Sequence, residues 1–162
     1  MGAIEGLLLG GAGVCVFSLE GRRFAVPLAL VSEVARMPAI LPLRDGPAVV
    51  EGLANVRGRI TPVLAVRLRF GLPQRSARLS DQLLIVRAGQ RLVGFRVDHV
   101  VGIESLARDD VVPVPTVIPG APHMVGVAQL GDDLVMIHDP AAFLAAEEAE
   151  ALERALRAQA EG

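Results

Sequence analysis

The feature that most constrains this chain is that it says nearly the same thing twice. Phe17-Ser18-Leu19-Glu20-Gly21-Arg22-Arg23-Phe24 is matched by Ile85-Val86-Arg87-Ala88-Gly89-Gln90-Arg91-Leu92, at an offset of 68. Glu51-Gly52-Leu53-Ala54-Asn55-Val56 is matched by Val125-Gly126-Val127-Ala128-Gln129-Leu130, at an offset of 74. The same second offset sets Ile60 to Leu64 against Leu134 to His138, and Val66-Arg67-Leu68-Arg69-Phe70 against Pro140-Ala141-Ala142-Phe143-Leu144. The first block is an apolar run broken by a glycine-bearing turn, the pattern of a β-hairpin. The next two supply further short strands, and Val66 to Phe70 reads as a short helical turn ended by Gly71. Paired blocks in the same order predict one β unit built twice and packed against itself.

The individual runs are short. Val14 to Leu19 and Arg23 to Leu28 flank Glu20-Gly21-Arg22, and Glu51 to Val56 and Ile60 to Val66 flank Arg57-Gly58-Arg59. Gln82 to Arg87 and Leu92 to Asp98 flank Ala88-Gly89-Gln90, and Met124 to Leu130 and Leu134 to His138 flank Gly131-Asp132-Asp133. Val31 to Arg36 and Ile40 to Leu43 are further extended pieces. The polar stretch Leu72 to Asp81 divides a first half (14–71) from a second (82–139), and Pro113, Pro115, Pro119 and Pro122 mark a long connection in the second. Residues 1–13 read as a flexible leader: Leu7-Leu8-Leu9 is too short to span a bilayer and lacks a basic flank. After Asp139 as cap and Pro140 as first helical residue, residues 140–162 predict a C-terminal helix and tail. Phe143, Leu144, Leu152 and Leu156 give it an apolar side, and Glu150–Arg154 and Glu153–Arg157 are spaced for i,i+4 pairing.

Catalytic chemistry is hard to find. All sixteen basic residues are Arg, which excludes a lysine Schiff base and a P-loop lysine. A net charge of −2, with the arginines scattered, argues against a nucleic-acid ligand. The lone Cys15 lies in an apolar run, and its inability to form an internal disulfide fits a reducing cytoplasm. His99, His123 and His138 lack metal-ligand spacing. Asp98-His99 are strand neighbours pointing to opposite faces, so neither orients the other. Asp109-Asp110 and Asp132-Asp133 read as loop and turn acids. No cofactor or metal is expected.

Asn55-Val56-Arg57-Gly58-Arg59 is a polar turn between apolar strands. Here the sequence resembles the CheW family of chemotaxis coupling proteins. Gly52-Leu53-Ala54-Asn55-Val56-Arg57-Gly58-Arg59-Ile60-Thr61-Pro62-Val63 is similar to that family's signature. Phe17 to Val34 resembles its opening hairpin, and Gln90-Arg91-Leu92-Val93-Gly94-Phe95-Arg96-Val97-Asp98 resembles a strand of its second half. The resemblance runs over residues 14–146. It implies an all-β fold of two five-stranded, Src-homology-3-like barrels, without enzymatic activity. It also implies a cytoplasmic adaptor joining chemoreceptor tips to the regulatory domain of a CheA-like histidine kinase, with no membrane insertion. In that family a groove between the barrels receives the receptor hairpin, and the apolar barrel ends meet the kinase.

Carried over by position, the receptor-facing residues are Val31, Glu33, Val34, Gly52, Asn55, Arg57, Gly58, Val100 and Gly126. The physical expectation is a helix-in-groove contact, oriented by Arg57 with Glu33, in which the glycines allow close backbone approach. Val56 stands where the family usually has Leu, and Ala65 where it commonly has Asp, which predicts a missing helix cap. Two alternatives stay open: a specialised subunit of a gliding, pilus or gene-regulating pathway that engages one partner, and, more remotely, a small metal-dependent hydrolase using His123 or His138.

Overall fold

The structure is a computed structural model that describes residues 13–113 and 124–161. Residues 1–12 of the leader, the connection bearing Pro115, Pro119 and Pro122, and His123 lie outside the described residues. In chain order the elements are β1 (Val14–Leu19), β2 (Arg22–Pro27), β3 (Val31–Arg36), β4 (Ile40–Leu41), β5 (Val50–Val56) and β6 (Arg59–Leu64). A short helix α1 (Val66–Arg69) follows. Then come β7 (Gln82–Ala88), β8 (Arg91–Val97), β9 (His99–Glu104), β10 (Val111–Pro113), β11 (Met124–Leu130), β12 (Asp133–His138) and helix α2 (Ala146–Glu161).

The first sheet runs β10-β11-β12-β2-β1-β9. The second, read from its far edge, runs β4-β5-β6-β8-β7-β3. The two orders are the same with each strand replaced by its repeat mate, down to the single parallel pairing in each, β12 with β2 and β6 with β8. The repeat in sequence is therefore not the unit in space. Each sheet joins the opening hairpin of one half to the last four strands of the other. The all-β class, the twofold repeat and the C-terminal helix are as expected. The barrels are open six-stranded sheets, with no pairing between edge strands among the described residues.

Burial explains why β1 and β7 read as unbroken apolar runs. Val14 and Val16 of β1 enter the interior of the first sheet with Ala25, Val135 and Ile137, while Cys15, Phe17 and Leu19 face the other way. In β7, Leu83 and Ile85 enter the interior of the second sheet, and Leu84 and Val86 face out. Those outward residues meet Phe24, Phe95, Phe143 and Leu152 in a central core between the sheets. A strand buried on both faces loses the polar half of its alternation.

Turn chemistry is equally regular. Glu20 (φ 52) with Gly21 (φ 75), and Arg57 (φ 53) with Gly58 (φ 83), fill two-residue hairpin loops with both φ positive. This is the type I′ signature. In the second half glycine leads instead, as Gly89 and Gly131.

The C-terminal segment departs from the expected single helix. Asp139 does cap, accepting from the Ala141 N–H at 2.9 Å, but what it caps is a 3-10 turn, Pro140–Phe143. α2 starts afresh at Ala146, where Glu148 accepts from the Ala145 N–H. The repeat mate of the 3-10 turn is α1, which has Ala65 at the cap position and no side-chain cap, as the missing Asp predicts. The two repeat-related turns meet at the centre, with the Phe70 and Phe143 rings 5.4 Å apart, edge to face. α2 packs on the sheets through buried Leu152 and Ala155. It is tied down by Arg69–Glu148 and by Arg91–Glu153, so Glu153 reaches across to β8.

Candidate functional site

The signature turn is built by its own residues. Asn55 Oδ1 accepts from the Gly58 N–H at 2.8 Å, bracing the loop from inside. Arg57 sits at the first loop position with a left-handed backbone, which for an arginine costs on the order of 1 kcal/mol against Asn or Gly. Its side chain is 83% exposed, and Nε lies 3.2 Å from Glu33 Oε2 on β3. β3 is the opposite edge of that sheet, so this contact exists because the sheet curls. Val34 is exposed beside it, and Val31 leans on the central core. The structure thus brings Glu33, Asn55, Arg57 and Gly58 onto one rim, while Val34, paired with Leu84, points to the other face of β3.

The remaining candidates fall elsewhere. Val100 lies on β9 of the other sheet and also leans on the central core, with its N–H donating to Gln82 Oε1 at 2.6 Å. Gly52 and Gly126 are buried at matching bulges of β5 and β11. A Cβ on Gly52 would run into the Leu41 carbonyl of β4 and come within 2.7 Å of Ile40 Cγ2. The backbone that approaches this glycine is the chain's own.

The repeat also produces a matched pair of apolar ends. On one sheet Leu41, paired with Leu53, and Ile60, paired with Asn55, are more than half exposed. On the other their mates Val112, paired with Val127, and Leu134, paired with Gln129, are more than half exposed as well. The last turns of α2 flank the first of these ends, where Leu156, Gln159 and Ala160 line an apolar groove with Leu41 and Ile60.

Sequence reasoning missed a buried ionic network at the seam. Arg67 of α1, 2% exposed, pairs with Glu20 of the β1–β2 turn and with Asp98 at the β8–β9 corner. Arg75 donates to both oxygens of Asp81, at 2.6 and 2.9 Å, and to Asp98 at 2.6 Å. Arg96 grips Glu51 through two bonds of 2.8 and 2.7 Å and reaches Asp81 at 3.1 Å. The network fastens the linker to both sheets, and it gives Asp98 a structural partner set that excludes His99. Its only advance signal is arginine at apolar-flanked positions, which is weak.

Burial alone would raise the Asp81 carboxyl. Hydrogen bonds from Arg75, the Arg78 N–H and Arg96 outweigh it and hold the group at about 2. Asp98 is likewise lowered against its burial by the Glu20 N–H, Arg67 and Arg75. A depressed carboxylate stabilises the fold above its ordinary pKa of 3.8 and loses that contribution as pH falls toward 2. Denaturant titrations between pH 5 and pH 2 should show Asp81 alone giving up roughly 2 kcal/mol. Asp81→Asn should flatten that slope.

The other polar groups have structural surroundings. His138 is buried among the rings of Phe24, Phe70 and Phe143. Cys15 is buried, which pushes its thiol up. Asp110 accepts from the Ala107 N–H within its own turn, and Asp133 pairs at the surface with Arg23. No group of three His, Cys, Asp or Glu is placed to hold a metal among the described residues. No helix among them is long and apolar enough to cross a membrane.

A profile of the CheW-like domain matches residues 13–148. The chain belongs to the CheW-like family. Among its relatives, the Chemotaxis protein CheW of Klebsiella aerogenes is 25% identical over 140 residues, covering 85% of this chain and 84% of that one. Protein FrzA of Myxococcus xanthus is 32% identical over 118 residues, covering 70% and 71%. Protein PilI of Pseudomonas aeruginosa is 31% identical over 93 residues, covering 57% and 52%. The crystal structure of the scaffolding protein TtCheW from Thermoanaerobacter tengcongensis superposes with a TM-score of 0.76 at 25% identity, covering 85% of this chain and 95% of that one. The CheW-like fold thus accounts for the repeat, both sheets and the core between them. Membership makes the chain a non-enzymatic scaffold of the chemosensory type.

Proposed function

We propose that this chain is a cytoplasmic adaptor that joins a chemoreceptor's helical tip to the regulatory domain of a CheA-like histidine kinase. The observation that carries the receptor contact is Arg57. A type I′ turn favours Asn or Gly at its first position, yet this turn holds an arginine there, 83% exposed and aimed by Glu33. A strained backbone under an exposed arginine supports a role for that side chain in binding. Glu33 and Arg57 offer paired opposite charges on one rim, which suits the polar edge of an amphipathic helix. For the kinase contact, support comes from the matched ends, Leu41 with Ile60 and Val112 with Leu134. A regulatory domain of the same fold would present ends of the same kind.

Arg57→Glu should weaken binding of a soluble receptor cytoplasmic fragment about tenfold or more, while kinase-domain binding and the urea midpoint stay put. Arg57→Asn should lose receptor binding too, yet raise stability by about 1 kcal/mol, because Asn tolerates the left-handed backbone. Full receptor affinity in both variants would refute the assignment.

A specialised pathway is the second reading, because Protein FrzA and Protein PilI, at 32% and 31% identity over shorter stretches, stand among the relatives beside the Klebsiella aerogenes CheW. Separate titrations with receptor and kinase domain decide whether both partners are engaged.

A further inference from the structure

We propose that Leu79, in the linker between the two halves, is an aliphatic knob that completes the receptor groove by inserting against the receptor's helical hairpin. This rests on the receptor assignment above. Single exposed leucines are ordinary on protein surfaces. Leu79 differs in three ways.

It is 98% exposed, more than any other large apolar residue described. It is also held there. The Asp81 N–H donates to the Arg78 carbonyl at 3.0 Å, and the Arg78 N–H donates to Asp81 Oδ2 at 2.8 Å. This closes a turn around Leu79 and Ser80, and the Asp81 carboxylate is pinned beneath by Arg75 and Arg96. The side chain is thus presented to water on a turn whose backbone is anchored in the buried network, so only its own rotamers remain to be ordered on binding.

The third difference is place. Leu79 borders a surface depression with Arg36 and Met37 at the end of β3, Gln82 at the start of β7, and His99 at the start of β9. β3 carries Glu33 and Val34, and β9 carries Val100. Leu79 thus stands over the ends of two strands, one in each sheet, that carry candidate residues. Arg36, Arg78 and His99 are exposed around it. An aliphatic knob with a cationic border fits a helix whose apolar stripe is edged by carboxylates.

The test titrates a soluble receptor cytoplasmic fragment against the full chain, Leu79→Asp, Leu79→Met and Arg57→Glu. At 98% exposure neither Leu79 substitution should move the urea midpoint. Leu79→Asp should weaken receptor binding about tenfold, Leu79→Met should stay within about twofold, and kinase-domain binding should be unchanged in both. If Leu79→Asp binds like the parent while Arg57→Glu does not, the knob is overturned and the receptor assignment stands. If the parent chain itself ignores the receptor fragment, both fall.

Discussion

Arg96→Ala should destabilise the protein by about 3–5 kcal/mol, the largest loss expected of any single surface-to-seam substitution. The side chain is 5% exposed and makes four hydrogen bonds: two to Glu51, one to Asp81 and one to the Arg75 carbonyl at 2.8 Å. Removing it leaves Asp81, itself 3% exposed, with a buried charge and one arginine fewer to balance it. The cost comes from the weakened balance at Asp81, which keeps Arg75 and the Arg78 N–H, and from Glu51, which loses both bonds from Arg96. For a chain of this size the thermal midpoint should fall by about 10 °C. Arg96→Lys should recover only part, because a single ammonium cannot reproduce the paired grip on Glu51. Thermal and urea melts of the two variants check this, and a loss below about 1 kcal/mol in Arg96→Ala would show that the network carries little of the stability.

Phe143→Ala should cost about 3–5 kcal/mol by a different route. Phe143 is fully buried where the two sheets and the C-terminal segment converge, with the Phe95 ring at 5.0 Å and the Phe70 ring at 5.4 Å. Its carbonyl also accepts from Arg69 Nε at 2.9 Å. Truncation opens a cavity in the central core and loosens the turn that delivers α2 to Leu152's position. Hydrogen exchange in residues 146–161 should therefore rise by more than the global loss explains, while the interiors of the two sheets stay protected. Uniform deprotection would mean that α2 and the sheets open as one unit.

Much of this architecture was legible because it depends on local pattern. The hairpin glycines, the strand pair β5 and β6 around Arg57-Gly58, and the Asp139 cap are set by neighbours in sequence, and the structure has them where the pattern puts them. The exchange of hairpins between halves was not legible. An offset of 68 says that β1 resembles β7, but nothing in either strand says that β2 pairs with β12 and β8 with β6. The ionic network was hidden for the same reason: Glu51 and Arg96, or Glu20 and Arg67, converge only after the sheets form. Glu153 shows tertiary structure overriding a local rule, since its i,i+4 arginine yields to Arg91 across the groove. At the candidate site, the resemblance placed Arg57 and Glu33 in one set, and the ion pair joins them. Gly52 was legible as special, and in the fold it is the chain's own β4 that lies within a Cβ's reach of it.

The most direct test of the account is whether one chain bridges two partners. Receptor fragment assembled on vesicles, kinase regulatory domain and this protein should be sedimented together, with and without Arg57→Glu. The kinase domain should pellet only when the parent chain is present, and with Arg57→Glu the kinase domain and the variant should stay together in the supernatant. Kinase domain that pellets equally well without the chain, or a parent chain that remains in the supernatant with neither partner bound, would contradict it.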